Sequence, residues 1–531
     1  MRFENWLLTP DERGNPATRL DLRGPEPAAW SRGNAVRPLV HGAAYFAALL
    51  TAIRGQREGD LLFFTDWRGD PDEPLDGPGS EIGEVLCDAA RRGVVVKGLI
   101  WRSHLDRLQF SEQENRHLGD EIEAAGGECL LDMRVRPGGA HHQKFVVLRH
   151  PGRAERDVAF VGGIDLCHSR RDDAAHGGDP RALRLAAAYG PRPPWHDVQL
   201  AIRGPAVGAV EATFRERWED PSPLSRSPLS RLRQLVHHED TRADPLPPQP
   251  PDPRPCGSHA VQLLRTYPAR RHGYPFAPDG ERSVARGYRK ALDRARSLIY
   301  LEDQYLWSAE VVASFAHALS SRPDLLMTAV IPAHPDQDGR FTAPMNLLGR
   351  IEALRALRRA GGERFAVYSV ENQAGTPVYV HAKVCVVDDV WAAVGSDNVN
   401  RRSWTHDSEL GCSVVDETRD PREPRDPGGL GDGARPFARD LRLELSAEHL
   451  DREDTDTLLE PAAAFRAFAE SAAALDAWHR GGRTGPRPPG RLRTYTTPTL
   501  SRTAAITSRP LQRLVADPDG RPRPLRRRAQ Y

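Results

Sequence analysis

Lysine is almost missing from this chain. Of its 74 lysines plus arginines only four are lysines: Lys97, Lys144, Lys290 and Lys383. None follows a glycine, so a Walker-type phosphate loop is absent, and the Gly429, Gly431, Gly433 stretch lies in a loop that no strand feeds. The six cysteines (Cys87, Cys129, Cys167, Cys256, Cys385, Cys412) are scattered and form no C-x-x-C pair. They read as small buried hydrophobes, which excludes a disulfide framework and a cysteine-ligated metal. His141, His142, His150, Cys167 and His168 match the spacing of no common zinc site. No stretch approaches about 18 consecutive apolar residues, and the start, MRFENWLLTPDERGN, has no run of signal-peptide length. The expectation is a soluble, cytoplasmic protein. A net charge of +1 removes any global attraction to nucleic acid or to an acidic membrane.

The scarcity of lysine makes its placement informative. Two of the four stand in H-x-K triplets, His142-Gln143-Lys144 and His381-Ala382-Lys383. With 19 histidines, a shuffled chain would hold roughly 0.1 to 0.2 such triplets. Context repeats as well. The stretch Val378–Glu409 is valine-rich around Asp388 and Asp389 and reads as two strands joined by a tight turn, followed by Gly395, Ser396 and Asn398. The stretch Ala140–Asp165 places Gly162, Gly163 and Asp165 in the same order after its own triplet. Side chains two apart on a strand share a face, so each triplet sets an imidazole beside an ammonium.

The rest of the chain alternates strand and helix patterns, as in Asp60–Trp67, Ser80–Arg92, Val94–Trp101, Glu112–Ala125 and Cys129–Met133. A Pro-rich linker follows, and the order then repeats from Val261. The fold class expected is α/β: two similar α/β domains from an internal duplication, each a mixed sheet flanked by helices, with the active site at their interface. The boundaries are residues 1–222 for the first half, 223–258 for the linker, 259–480 for the second half and 481–531 for a Pro/Arg-rich tail.

With the segments HHQKFVV, AFVGGIDL, PWHDVQLAIRGPAV and IYLEDQYLW, the sequence resembles the phospholipase D superfamily, whose mark is two H-x-K-x4-D motifs each followed by a G-[GS]-x-[ND] turn. The similarity is to the eukaryotic-type branch and spans both halves. It implies a phosphodiesterase that hydrolyses glycerophospholipids to phosphatidic acid and the headgroup alcohol through a phosphohistidine, with transfer to another alcohol as a variant; the alternatives are a cardiolipin-synthase-like phosphatidyl transferase, a nuclease, or a non-catalytic phospholipid-binding member. The chemistry fits the residues. Displacing an alcohol from a phosphodiester needs a nucleophile, an acid for the leaving oxygen and positive charge around the phosphoryl group. Histidine supplies the first two near neutral pH.

The resemblance makes His142, Lys144, His381, Lys383 and Asp388 catalytic. It points to Asp197 as the carboxylate orienting His142 and to Glu409 as the one orienting His381. Gly162, Gly163, Asp165, Ser396 and Asn398 would surround the phosphate, and Glu302 and Gln304 alternate on a strand that could face the cleft. No metal or other cofactor is expected. The partners expected are a phospholipid substrate and, peripherally, a membrane surface, with no nucleic acid, for a monomer. Nothing before residue 40 reads as a separate lipid-binding domain, so membrane contact would fall to the core or the tail. The first motif departs from the pattern: Arg149 stands seven residues after His142 where Asp388 follows His381, and the hairpin is about six residues longer. Glu155 or Asp157 is expected to take the structural place of the missing aspartate.

Overall fold

The structure is a computed structural model that describes residues 3–103, 112–237, 239–337, 339, 342–528 and 530–531. Its strands are β1 Ser31–Val40, β2 Leu61–Asp66, β3 Val95–Trp101, β4 Glu128–Asp132, β5 Phe145–Arg149, β6 Val158–Gly162, β7 Trp195–His196, β8 Val198–Arg203, β9 His259–Tyr267, β10 Glu281–Arg282, β11 Leu298–Asp303, β12 Leu326–Val330, β13 Phe365–Val370, β14 Tyr379–Val380, β15 Lys383–Val387, β16 Trp391–Gly395, β17 Glu409–Asp416 and β18 Leu492–Thr494.

The duplication is visible in the order in which they pair. The first half runs β4-β3-β2-β5-β6-β8-β1, and the second runs β13-β12-β11-β15-β16-β17-β9. In each, three parallel strands connected by helices are followed by antiparallel strands. Strands β1 and β9 pair antiparallel at Ser31↔Val261 and Asn34↔His259, so the halves share one continuous sheet.

Alternation of side chains across the strands builds the cores. Phe63, Val147, Val161 and Leu200 of the first half join Val384, Val394, Leu410 and Leu441 of the second in one buried cluster that crosses the seam. The opposite face of the first half packs Leu62, Phe64, Val146 and Leu148 under helices Gly42–Arg54 and Ile82–Arg91. The opposite face of the second half takes in Trp6, Leu7 and Leu8 from the N-terminal segment. Arg13 crosses over likewise, to Glu281 at 3.0 Å.

Two segments are more ordered than their composition suggests. The linker contains helix Pro228–Val236, started by the Ser227 side chain and by a proline in the first turn. Its later part lies along helix Ala206–Trp218, where Trp218 Nε1 donates to the Asp244 carbonyl at 2.8 Å. The tail adds β18 to the sheet edge beside β13 and returns to Trp404, whose ring lies 5.6 Å from that of Tyr531. Backbone groups in both segments find partners on the body of the protein, which offsets the lack of a helical or strand pattern of their own.

Candidate active site

The matching topology of the halves brings their loop segments together at the seam. The short strand β14, just before β15, pairs in parallel with β7, just before β8, at Tyr379↔Trp195 and Val380↔His196. By the same relation, His141 before β5 bridges Ser408 before β17. His381 N–H then donates to the His196 carbonyl at 2.8 Å, and His142 N–H to the Ser408 carbonyl at 2.9 Å. Each triplet histidine is thus stitched to the opposite half.

The carboxylates are exchanged accordingly. His142 Nδ1 lies 2.9 Å from Glu409 Oε2, and His381 Nδ1 lies 2.6 Å from Asp197 Oδ2. The pairing expected from the resemblance, His142 with Asp197 and His381 with Glu409, is therefore corrected: each histidine takes the other half's acid. Burial, then Lys144 and Lys383, holds the His142 imidazole well below its usual pKa. Burial, then Lys383 and Arg170, does the same to His381, with Lys144 adding to the effect. Each ring is within electrostatic reach of both lysines, which places the two triplets around one site. A neutral ring that donates Nδ1–H to a carboxylate presents a bare Nε2 lone pair. His142 is the more accessible, its side chain 17% exposed against 6% for His381.

The lysines are held alike. Lys144 Nζ donates to the His142 carbonyl at 2.9 Å and Lys383 Nζ to the His381 carbonyl. Lys144 also meets Asp165 at 3.4 Å, and Lys383 meets Gln304 Oε1 at 3.2 Å. Burial brings Lys383 down to about 8. Burial alone would raise Asp165, but Lys144 and Arg170 hold it below its ordinary value. Arg170, 3.2 Å from Asp165 and stacked over Trp195 at 4.1 Å, is a site cation that the sequence did not signal.

Several expected site residues serve other purposes. Asp388 is separated from Lys383 by the length of β15 and sits in the β15–β16 turn at φ 52°. Its carboxylate accepts the backbone N–H groups of Arg296, Ser297 and Leu298, each at 2.8 Å, so it fastens the hairpin to the chain entering β11. It is a scaffold residue, not a catalytic one. Gly162 and Gly163 do not offer their amides to an anion, since both donate within the sheet, to Lys144 O and Val198 O. Gly163 is required for room: a Cβ there would lie 2.2 Å from Asp197 Oδ1. Ser396 Oγ donates to Glu409 Oε2 at 2.5 Å and so supports the acid behind His142. Asp165 is a counter-charge to Lys144 and Arg170. Asn398 is buried and its Oδ1 has no hydrogen-bond partner, so it remains the polar group of that turn free to meet a ligand.

Arg149, standing where the first motif lacks its aspartate, is fully buried between Asp157 at 2.8 Å and Glu211 of helix Ala206–Trp218. In the second half the same kind of link has its signs reversed, with Asp389 of the turn held by Arg439 and Arg442 of helix Pro436–Leu450. Asp157 is occupied by Arg149 and by His150 N–H at 2.6 Å, and Glu155 is exposed. The chain entering β2 is tied instead through Arg153 to Asp60 at 2.6 Å. Neither Glu155 nor Asp157 substitutes for the motif aspartate.

Gln304, one residue past the end of β11, does reach the site, as its alternation with Glu302 suggested, while Glu302 lies buried between His196 and His449. Gln304 also bonds Tyr379 OH at 2.8 Å and opens onto a small pocket lined by Tyr305, Trp307, His334, Asp336 and Arg350.

Two family models match this chain: one described as Phospholipase D over residues 72–312, and one described as Cardiolipin synthase, PLD-like domain, over residues 288–420. Among curated relatives, phospholipase D alpha 1 of Oryza sativa subsp. japonica is 26% identical over an alignment of 474 positions that covers 66% of this chain and 58% of that protein. Phospholipase D alpha 2 of Arabidopsis thaliana is 25% identical over 530 residues, covering 76% and 63%. The chain thus spans about three fifths of the length of these relatives. Among solved structures, phosphatidylserine synthase of Haemophilus influenzae Rd KW20 has the same fold, with a TM-score of 0.51 at 12% identity over 84% of this chain and 93% of that one.

Proposed function

Since this chain belongs to the phospholipase D superfamily, in its eukaryotic-type branch, we propose that it hydrolyses glycerophospholipids to phosphatidic acid and the headgroup alcohol through a phosphohistidine. The observation that carries this reading is the exchanged pair of buried imidazoles, each with a carboxylate on Nδ1 and a lysine at its side.

His142, the more exposed of the two, attacks phosphorus through Nε2, forming a P–N bond as the P–O bond to the headgroup breaks. Glu409 holds its ring and balances the charge that grows on it. When the bound phosphate offsets the lysines that keep the free ring neutral, His381 carries a second proton on Nε2; oriented by Asp197, it gives that proton to the departing oxygen and later takes one from water, whose oxygen attacks phosphorus and frees His142. Lys144 and Lys383, with the Nδ2–H of Asn398, stabilise the charge on the non-bridging oxygens.

The aromatic pocket beside Gln304, with Tyr305 and Trp307 stacked at 3.8 Å and Asp336 on its wall, suits a cationic headgroup. Contact with a lipid surface is supported by exposed apolar side chains on two helical segments: Leu232, Leu235 and Val236 on one, and Ile506, Leu511, Leu514 and Val515 on the other. No described helix is long and apolar enough to cross a membrane.

A second reading, phosphatidyl transfer to an alcohol, is favoured by the cardiolipin-synthase-type match over residues 288–420. Purified protein incubated with phosphatidylcholine vesicles in water and in dilute ethanol tests both. Free choline with phosphatidic acid supports hydrolysis. Phosphatidylethanol as the sole product, with no turnover in water, supports obligatory transfer. No product in either refutes both.

A further inference from the structure

A second group of histidines lies one residue from Asp197 and takes no part in the chemistry above. His41, His176 and His196 of the first half and Glu448 of the second each offer one ligand atom, all within 4.8 Å of one another. The ring centroids are 5.0, 5.1 and 5.9 Å apart, and all three histidines are buried.

With His176 and His196 neutral, their hydrogen-bond roles turn a lone pair of each ring toward Glu448, so that either a second proton on the ring or a cation must lie between. His176 Nδ1 lies 3.1 Å from the Trp195 carbonyl, which can only accept, so the ring's N–H belongs there. Its bare Nε2 then points at Glu448 Oε1 from 2.9 Å. His196 Nε2 lies 2.7 Å from Glu302 Oε2 and donates to it. Its Nδ1, with no hydrogen-bond partner, faces Glu448 Oε1 at 3.5 Å. His41 Nε2 approaches Glu448 Oε2 at 2.7 Å. Nε2 of His41, Nε2 of His176 and Nδ1 of His196 converge on the Glu448 carboxylate in buried space, an arrangement that a cation between them satisfies once it displaces the proton His41 shares with Glu448.

Two of the three outer nitrogens already hold the partners that metal-bound imidazoles use: a backbone carbonyl for His176, and for His196 a carboxylate that also receives His449 Nε2 at 2.7 Å; the Nδ1 of His41 has none. Backbone strain aims two of the ligands. His41 sits at φ 69°, ψ 156°, where residues with a Cβ are rare, and His176 sits at φ 53°.

We propose that His41 Nε2, His176 Nε2, His196 Nδ1 and a carboxylate oxygen of Glu448 bind one divalent transition-metal ion of the zinc type, in a closed site that fastens the two halves together beside Asp197. Three imidazoles and one oxygen make a donor set for tetrahedral zinc, whose bonds of about 2.0–2.1 Å set neighbouring ligand atoms about 3.3 Å apart. From Glu448 Oε1 the separations to His176 Nε2 and His196 Nδ1, 2.9 and 3.5 Å, bracket that value, while His41 Nε2 lies 2.7 Å from the other oxygen. Both halves supply ligands, so the ion binds the assembled fold and stabilises it.

The test uses the full chain, loaded with excess zinc, passed through gel filtration and assayed for metal content. About one zinc per chain is expected to remain, and chelator-treated protein is expected to melt several degrees lower and to recover on adding zinc. Cobalt-loaded protein is expected to show the intense visible bands of a tetrahedral centre. His176→Gln and Glu448→Gln should each lose the retained metal with unchanged far-UV circular dichroism. Retention of less than about a tenth of an equivalent, an octahedral cobalt spectrum, or zinc retention untouched by both variants would each overturn the proposal. Stoichiometry and the cobalt spectrum of the unmutated chain decide the question if a variant does not fold.

Discussion

His142 and Glu409 stand 267 residues apart in the chain and 2.9 Å apart in the fold, with the glutamate oxygen on the Nδ1 side of the ring. Among the described residues, no carboxylate of the histidine's own half hydrogen-bonds its ring. Removing the charge while keeping the shape should therefore affect chemistry more than folding. Glu409→Gln and Asp197→Asn are each expected to lower kcat by about 10²–10⁴ by disturbing tautomer and charge balance. Choline release from phosphatidylcholine measures the effect, and thermal melting should change little. A variant retaining more than half of the rate would remove the exchanged pairs from the mechanism.

The two histidines should separate in a trapping experiment. If His142 is the nucleophile, His381→Asn still forms the P–N bond with an activated substrate but resolves it slowly, so an acid-labile phosphoryl adduct accumulates. His142→Asn should form none. Mass spectrometry of rapidly quenched protein reads this out, and the opposite pattern would assign the nucleophile to His381.

Lys383 gives a pH dependence with a definite sign. Burial lowers its ammonium to about 8, so the cation is present below that pH and is lost as the pH rises through it. The quantity kcat/KM, which reports the free enzyme, is expected to fall on an alkaline limb near that value. Lys383→Arg should lower the plateau and move the limb upward, because a guanidinium stays protonated throughout.

Space behind Asp197 can be tested by one methyl group. In Gly163→Ala the new Cβ would sit 2.2 Å from Oδ1 and 3.0 Å from Cγ of Asp197. Overpacking of this kind costs about 1–3 kcal/mol. The displaced carboxylate should also cost His381 its orientation, so kcat falls together with the melting temperature.

Arg149 should matter for stability and not for rate. Replacing it by alanine takes the guanidinium from buried Asp157, which keeps only His150 as a donor, and leaves Glu211 with Arg215 at 2.7 Å, a loss expected at about 3 kcal/mol in urea unfolding. Below the transition, the surviving folded enzyme should turn over at the normal rate per molecule. A selective loss of kcat with unchanged stability would return position 149 to the active site.

Much of this was legible in the sequence because it is local. Period-two valines around Lys383, the paired triplets and the alternation of strands with helices are short-range patterns, and the sheets follow them closely. The exchange of Asp197 and Glu409 was not legible, since it follows from how β7 meets β14 and how His141 meets Ser408, and no spacing within either half encodes that. Asp388 misled for a related reason: a turn aspartate with φ 52° that accepts three amides has the same motif position as one that touches substrate. His41, His176 and His196 sit in unrelated stretches and converge with Glu448 only through the fold. Order in the tail, through β18 and Tyr531, depends on surfaces built hundreds of residues earlier.

The seam at Ser31↔Val261 and Asn34↔His259 makes the catalytic unit indivisible. Any motion that parts the lobes withdraws an acid from both imidazoles at once, so no intermediate opening leaves one histidine competent while the other rests. Product escape must then use loop or side-chain movement around the pocket mouth, and breathing of the lobes acts as a single off-switch for the whole reaction.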